Sequence, residues 1–107
     1  MDLILYNQDA ERSFYMLKLW GILRKNNKMI RNLVVENEDN SLSPEEQLNA
    51  CMEEICYQFD IPKPIWLSKH QNEFEQFHRT VFKADHFIEK IDFDAFEIEA
   101  IIDKEKE

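Results

Sequence analysis

Two runs rich in β-branched, leucine and aromatic residues, YMLKLWGILR at 15–24 and MIRNLVVE at 29–36, flank the tetrapeptide KNNK. That pattern predicts two strands and a turn. Asn26-Asn27 suits a two-residue type I′ turn, because asparagine tolerates the positive φ that such a turn requires. With the turn fixed there, Lys25 faces Lys28, Leu23 faces Ile30, Gly21 faces Asn32 and Leu19 faces Val34. This mostly apolar face is expected to meet a core. The other face then carries Lys18, Trp20, Ile22 and Arg24 beside Met29, Arg31, Leu33 and Val35. Gly21 in mid-strand predicts a bulge or a close packing contact, and a bulge would exchange the two faces on one side of it. Met16, Leu19, Trp20 and Leu23 also fit a helical stripe. The asparagine pair and the β-branched second run favour strands.

After a polar loop at 37–42, Ser43-Pro44-Glu45-Glu46 reads as a capping box with proline in the first helical turn. Leu48, Cys51, Met52, Ile55, Cys56 and Phe59 then recur at the spacing of one helical face. Glu45, Glu46, Glu53 and Glu54 fall on the solvent side, and Asp60 and Pro62 end the helix. Residues 61–65, IPKPI, are expected to be extended, because each proline disfavours helix in the residue before it. Ile65-Trp66-Leu67 is expected to anchor that crossing to the core. Ser68-Lys69-His70-Gln71 predicts a second capping box, opening a helix with Phe74, Phe77 and His78 on one side. Phe96, Ile98, Ala100 and Ile102 alternate with polar residues, which predicts a strand. Residues 103–107 are a charged end expected to fray. The fold class expected is α+β: a small antiparallel sheet built on a β-hairpin, with one face packed by two helices.

Composition sets limits on this picture. A length of 107 residues predicts a single domain over 1–107, and 44% hydrophobic residues is enough for a core without disulfides. The segment MDLILYNQD lacks a basic n-region, which argues against a signal peptide. No apolar run reaches the ~20 residues that span a bilayer, so no membrane role is expected. Cys51 and Cys56 lie on different sides of the predicted helix and cannot pair within it. They read as reduced, buried thiols in a cytoplasmic protein.

The net charge is −9, yet residues 12–35 hold six bases and no acid. So acidic a chain repels nucleic acid and anionic membranes at long range. The basic hairpin is therefore the feature that a function must explain. If the strand beginning at Phe96 pairs beside it, Glu97 and Glu99 lie near Lys18, Arg24 or Arg31 and neutralise them.

The segments LWGILRKNNKMIRNLVVE, EEICYQFDIPKPIWL and RTVFKADHFIEKIDFDAFEIE resemble a family of small, uncharacterised cytosolic proteins from Gram-positive anaerobic bacteria. The resemblance spans about residues 14–102. It implies a bacterial cytoplasmic setting and carries over neither an activity nor site residues.

Histidines draw attention to FHRTVFKADHF, where His78, Asp85 and His86 fall in nine residues, with His70 upstream. On one continuous helix, His70, His78 and His86 would be spaced about 12 Å apart in steps, too far for one metal. A metal or catalytic site needs a chain reversal near Arg79-Thr80. Without it these residues cap helix ends and turns. With one glycine in the chain there is no phosphate loop. Neither a cofactor nor a metal is expected, nor enzymatic activity. The leading function is a protein-interaction module that uses Lys18, Trp20, Arg24, Arg31, Leu33 and Val35 to bind another protein or a second copy. The alternative is single-stranded nucleic acid on the same face, and a third is a metal-dependent enzyme at His78, Asp85 and His86.

Overall fold

The computed structural model describes residues 16–101 of the chain. Expectations for the signal sequence, Tyr15, Ile102 and the end at 103–107 lie outside those residues. β1 (Leu17–Lys25) and β2 (Lys28–Asn37) form the predicted hairpin. Asn26 and Asn27 take φ of 55° and 65°, the type I′ geometry. α1 (Pro44–Phe59) and α2 (Ser68–Phe77) follow, then β3 (Arg79–Lys83), a short 3₁₀ turn at Ala84–His86, and β4 (Ala95–Ala100). The sheet order is β2-β1-β4-β3 and all neighbours are antiparallel. α1 lies over β1 and β2 and α2 over β3, on the same face of the sheet. The expected α+β architecture, with two helices on one face of an antiparallel sheet, is the one observed.

The hairpin register differs from the expectation. Arg24 still opposes Met29, but the next pair is Leu23 with Arg31, and the ladder passes over Ile30. Ile30 is a bulge, placed at the turn end rather than at Gly21. One extra residue in β2 shifts every later pair, so Leu19 meets Val35 and Trp20 meets Val34. Leu19 and Leu23 are in the core as expected, whereas Ile30 and Val34 are close to half exposed. Gly21 answers to the other possibility, a close approach. A Cβ there would stand 2.6 Å from Ile55 Cγ2, so α1 rests directly on the glycine backbone.

α1 has the capping box expected of it: Glu46 N–H donates to Ser43 Oγ, and Ser43 N–H donates to Glu46 Oε1. Cys51, Met52, Ile55, Cys56 and Phe59 are buried along its inner stripe, with Leu48 partly so. α2 starts one residue earlier than its expected cap. Leu67 is the N-cap, in extended backbone, and His70 Nδ1 accepts the Leu67 N–H at 2.9 Å. Histidine thus does the work expected of Gln71, and Ser68 lies inside the first turn. Phe74 is buried, but Phe77 ends the helix and is largely exposed. His78 then adopts a left-handed φ of 61°, and the chain turns into β3.

Phe96, Ile98 and Ala100 of β4 face the helices as their alternation predicts, and all three are buried. Phe82 of β3 opposes Phe96 and stacks on it at 6.0 Å between centroids. None of the described helices is long and apolar enough to cross a membrane.

Candidate functional site

The shifted register divides the predicted binding residues between the two faces. Lys18, Trp20 and Arg24 lie on the face away from the helices, together with Asn32 and Val34. Arg31, Leu33 and Val35 oppose Leu23, Gly21 and Leu19, and so lie on the helix side. The six residues expected to form one surface do not do so, because the bulge at Ile30 turned half of them over. Leu33 and Val35 pack against the core. Arg31 stands 4.9 Å over the Phe59 ring and donates to the backbone oxygens of Gln58 and Phe59. It thereby supplies positive charge at the C-terminal end of α1, whose last turn has no base.

The face away from the helices is organised by Glu97. Arg24 Nε and an Arg79 guanidinium nitrogen each donate to one of its carboxylate oxygens at 2.9 Å. Burial pushes the Glu97 carboxyl up, but the hydrogen bonds and charges of Arg79 and Arg24 outweigh it and hold it below the usual range. The neutralisation expected between this strand and the hairpin is present at Arg24, with Arg79 as a second partner. Trp20 Nε1 donates to Asn32 Oδ1 at 3.2 Å. Ile22, at the centre of this face, is buried.

The histidine window resolves into a different pair. The helix does stop at Phe77, and the reversal brings His70 and His86 together, with ring centroids 4.5 Å apart. His78 instead uses its backbone to close α2 and to accept Ala100 N–H. Asp85 Oδ1 lies 3.7 Å from His86 Nε2. His86 Nδ1 accepts the Lys83 N–H at 2.9 Å, repeating the arrangement of His70 with Leu67. Both Nδ1 atoms are therefore acceptors, which places the ring proton on Nε2 in each neutral histidine. Among the described residues no group of three or more His, Cys, Asp or Glu side chains is placed to hold a metal.

His70 is fully buried, and its Nε2 makes no well-aligned hydrogen bond, with the Val81 carbonyl as its neighbouring acceptor. Burial, then the facing His86 and Lys69, lower its pKa from the ordinary 6.5; Glu73 and the Val81 carbonyl oppose them less strongly. For a base whose folded pKa is depressed, the unfolded chain takes up the proton first as pH falls. Stability is then complete above about pH 6.5 and declines below it, by at most about 1.4 kcal/mol per pH unit. Urea midpoints measured at about pH 7.5 and about pH 5.5, above the carboxylate range, should show this loss. His70→Gln should largely abolish the difference between them. An equal pH dependence in that variant would remove His70 as its source.

The two thiols are pushed up to about 11, chiefly by burial, so they are neutral and unreactive at physiological pH. Cys51 nevertheless helps line a groove of about 590 Å³ between β2 and α1. Leu33, Val34, Val35, Glu36 and Asn37 form one wall, and Ala50, Cys51, Glu54 and Gln58 form the floor and other side. β2 is one of the two edge strands, with β3 at the other side of the sheet, and among the described residues no strand pairs with its outer edge.

The direction of its backbone groups follows from the ladder. Ile101 N–H donates to Lys18 O, so Lys18 and the alternate residues Trp20 and Ile22 turn their backbone groups toward β4. Leu19 and Gly21 then bond to β2, through Val35 and Leu33. That leaves the N–H and C=O groups of Asn32, Val34 and Glu36 pointing outward, over the groove. Reasoning from the sequence missed this edge. Strand order depends on where β4 inserts, and the hairpin alone does not specify which of its strands is outermost.

Comparison with known proteins adds no relative: no family model matches the chain, no curated protein matches it, and no solved structure matches it.

Proposed function

We propose that this protein is a non-enzymatic protein-interaction module that docks an extended segment of a partner as an added strand on β2. The observation that carries this reading is the outer edge of β2, where the backbone groups of Asn32, Val34 and Glu36 face outward above a groove floored by α1. An edge that no described strand covers is a template for strand addition: main-chain hydrogen bonds supply affinity and the flanking pockets supply selectivity. Exposed Val34 and half-buried Leu33 and Val35 give an incoming strand apolar surface on both of its faces.

The hairpin face that carries Trp20 and Arg24 is less suited to docking. Arg24 is engaged by Glu97, Arg31 by the end of α1, and Trp20 by Asn32. The same engagements withdraw support from single-stranded nucleic acid, which needs those cations free for phosphates. The proposal includes the bacterial cytoplasmic setting that the sequence resemblance implies, with which two buried free thiols agree.

Val34→Pro tests the edge. It removes an outward N–H and leaves the bonds to β1 in place, the position at which an edge strand accepts proline. In captures from host-cell lysate, a partner retained by the native chain and by Trp20→Ala should be lost with Val34→Pro. Retention by Val34→Pro together with loss by Trp20→Ala would move the docking surface back to the hairpin face.

A further inference from the structure

Resting on the docking reading above, we infer that the segment taken up by β2 is a basic–apolar strand, with lysine or arginine on each of its two faces around an apolar centre. Among the described residues the groove lining contains two acids, Glu36 and Glu54, and no base. The acids lie on opposite sides of the edge. Glu36 shares the face of Trp20 and Val34, because it opposes Lys18. Glu54 rises from α1 on the other side. α1 runs antiparallel to β2, since Cys51 Sγ lies under Val35 O and Gln58 O meets Arg31. Glu54 is between those two points and therefore sits beneath the middle of the edge.

An antiparallel strand laid on this edge meets a defined series of positions. Its residue opposite Glu36 faces a carboxylate. The next, opposite Val35, points down toward Ala50 and Cys51. The third, opposite Val34, meets apolar surface. The fourth, opposite Leu33, points down within reach of Glu54. The series reads basic, apolar, apolar, basic. At long range the net charge of −9 attracts a basic segment, and at the edge itself Glu36 and Glu54 set the local preference.

A second copy of the chain fits this edge poorly. A two-fold axis normal to the sheet sets β2 against β2 and brings the two α1 helices side by side. α1 carries four glutamates and no base, so like charges face each other across the axis.

The test uses two labelled peptides, Thr-Val-Thr-Lys-Val-Val-Lys-Thr-Val-Thr and the same sequence with glutamate for lysine. Binding is read by fluorescence anisotropy at about physiological ionic strength, where diffuse attraction is screened. The lysine peptide should bind at least about tenfold more tightly, because two attractive pairs become two repulsive ones. Glu36→Gln with Glu54→Gln should remove most of that preference, and Val34→Pro should abolish binding of both peptides. Equal binding of the two peptides, lost with Val34→Pro, would reject the basic segment and leave docking at the edge intact. Undiminished binding of the lysine peptide to Val34→Pro would reject both readings. If neither peptide binds, the basic segment is rejected and the capture experiment decides on the edge alone. A dimer in sedimentation that Val34→Pro dissociates would make a second copy the occupant.

Discussion

Phe82→Ala should lower the free energy of unfolding by about 3–5 kcal/mol, the range for a large aromatic removed from a core. Phe82 has no exposed surface and is where β3 and α2 are joined. Its ring lies 4.3 Å from His70, 5.4 Å from Trp66 and 6.0 Å from Phe96 between centroids. One residue thus bridges the sheet, the second helix and the extended crossing before it. The cavity cannot close by a shift of α2 alone, because Leu67 and His70 fix the start of that helix to the crossing. Chemical denaturation with tryptophan fluorescence measures the loss, since Trp66 reports on the same cluster. A loss below about 1 kcal/mol would mean that the cluster is not a cooperative part of the core.

Ile55→Ala should cost about 2–5 kcal/mol, and its partner substitution makes the prediction specific. Ile55 is fully buried and lies against the backbone of Gly21. Gly21→Ala alone drives a methyl to 2.6 Å from Ile55 Cγ2 and should destabilise by about 1–3 kcal/mol through overpacking. In the double variant the alanine at 21 moves into space vacated at 55. The combined loss should therefore be smaller than the sum of the two, which a double-mutant cycle in urea would measure. Simple additivity would show that α1 does not rest on the glycine.

The strength of each local signal decided what could be read from the chain. α1 was legible to its cap, because Ser43, Glu46 and six apolar residues at helical spacing all point to one helix. β4 was legible because Phe96, Ile98 and Ala100 alternate without interruption. The start of α2 was missed by one residue, because histidine at the third position is a rarer capping partner than glutamine. The Ile30 bulge carries no signal of its own: Ile30 is β-branched and reads as ordinary strand. That single residue cost the proposed surface half its members. The His70–His86 contact depends on α2 stopping at Phe77, and the β2 edge depends on β4 choosing β1 as its neighbour. Both are long-range events that no local window contains.

The sheet order has a kinetic consequence. Among the described residues β4 follows every other element, yet it lies between β1 and β3 and is the only strand that touches both. The β1–β2 hairpin can close quickly through its two-residue turn, on the order of microseconds. Joining it to β3 must wait for a partner more than seventy residues away in sequence, such as Glu97 for Ile22. Such distant closures slow folding. Until it happens, β1 exposes a second unpaired edge beside that of β2, and the helices have half a sheet to cover. During synthesis, therefore, the nascent chain holds two unjoined sheet fragments and cannot finish folding until β4 has emerged.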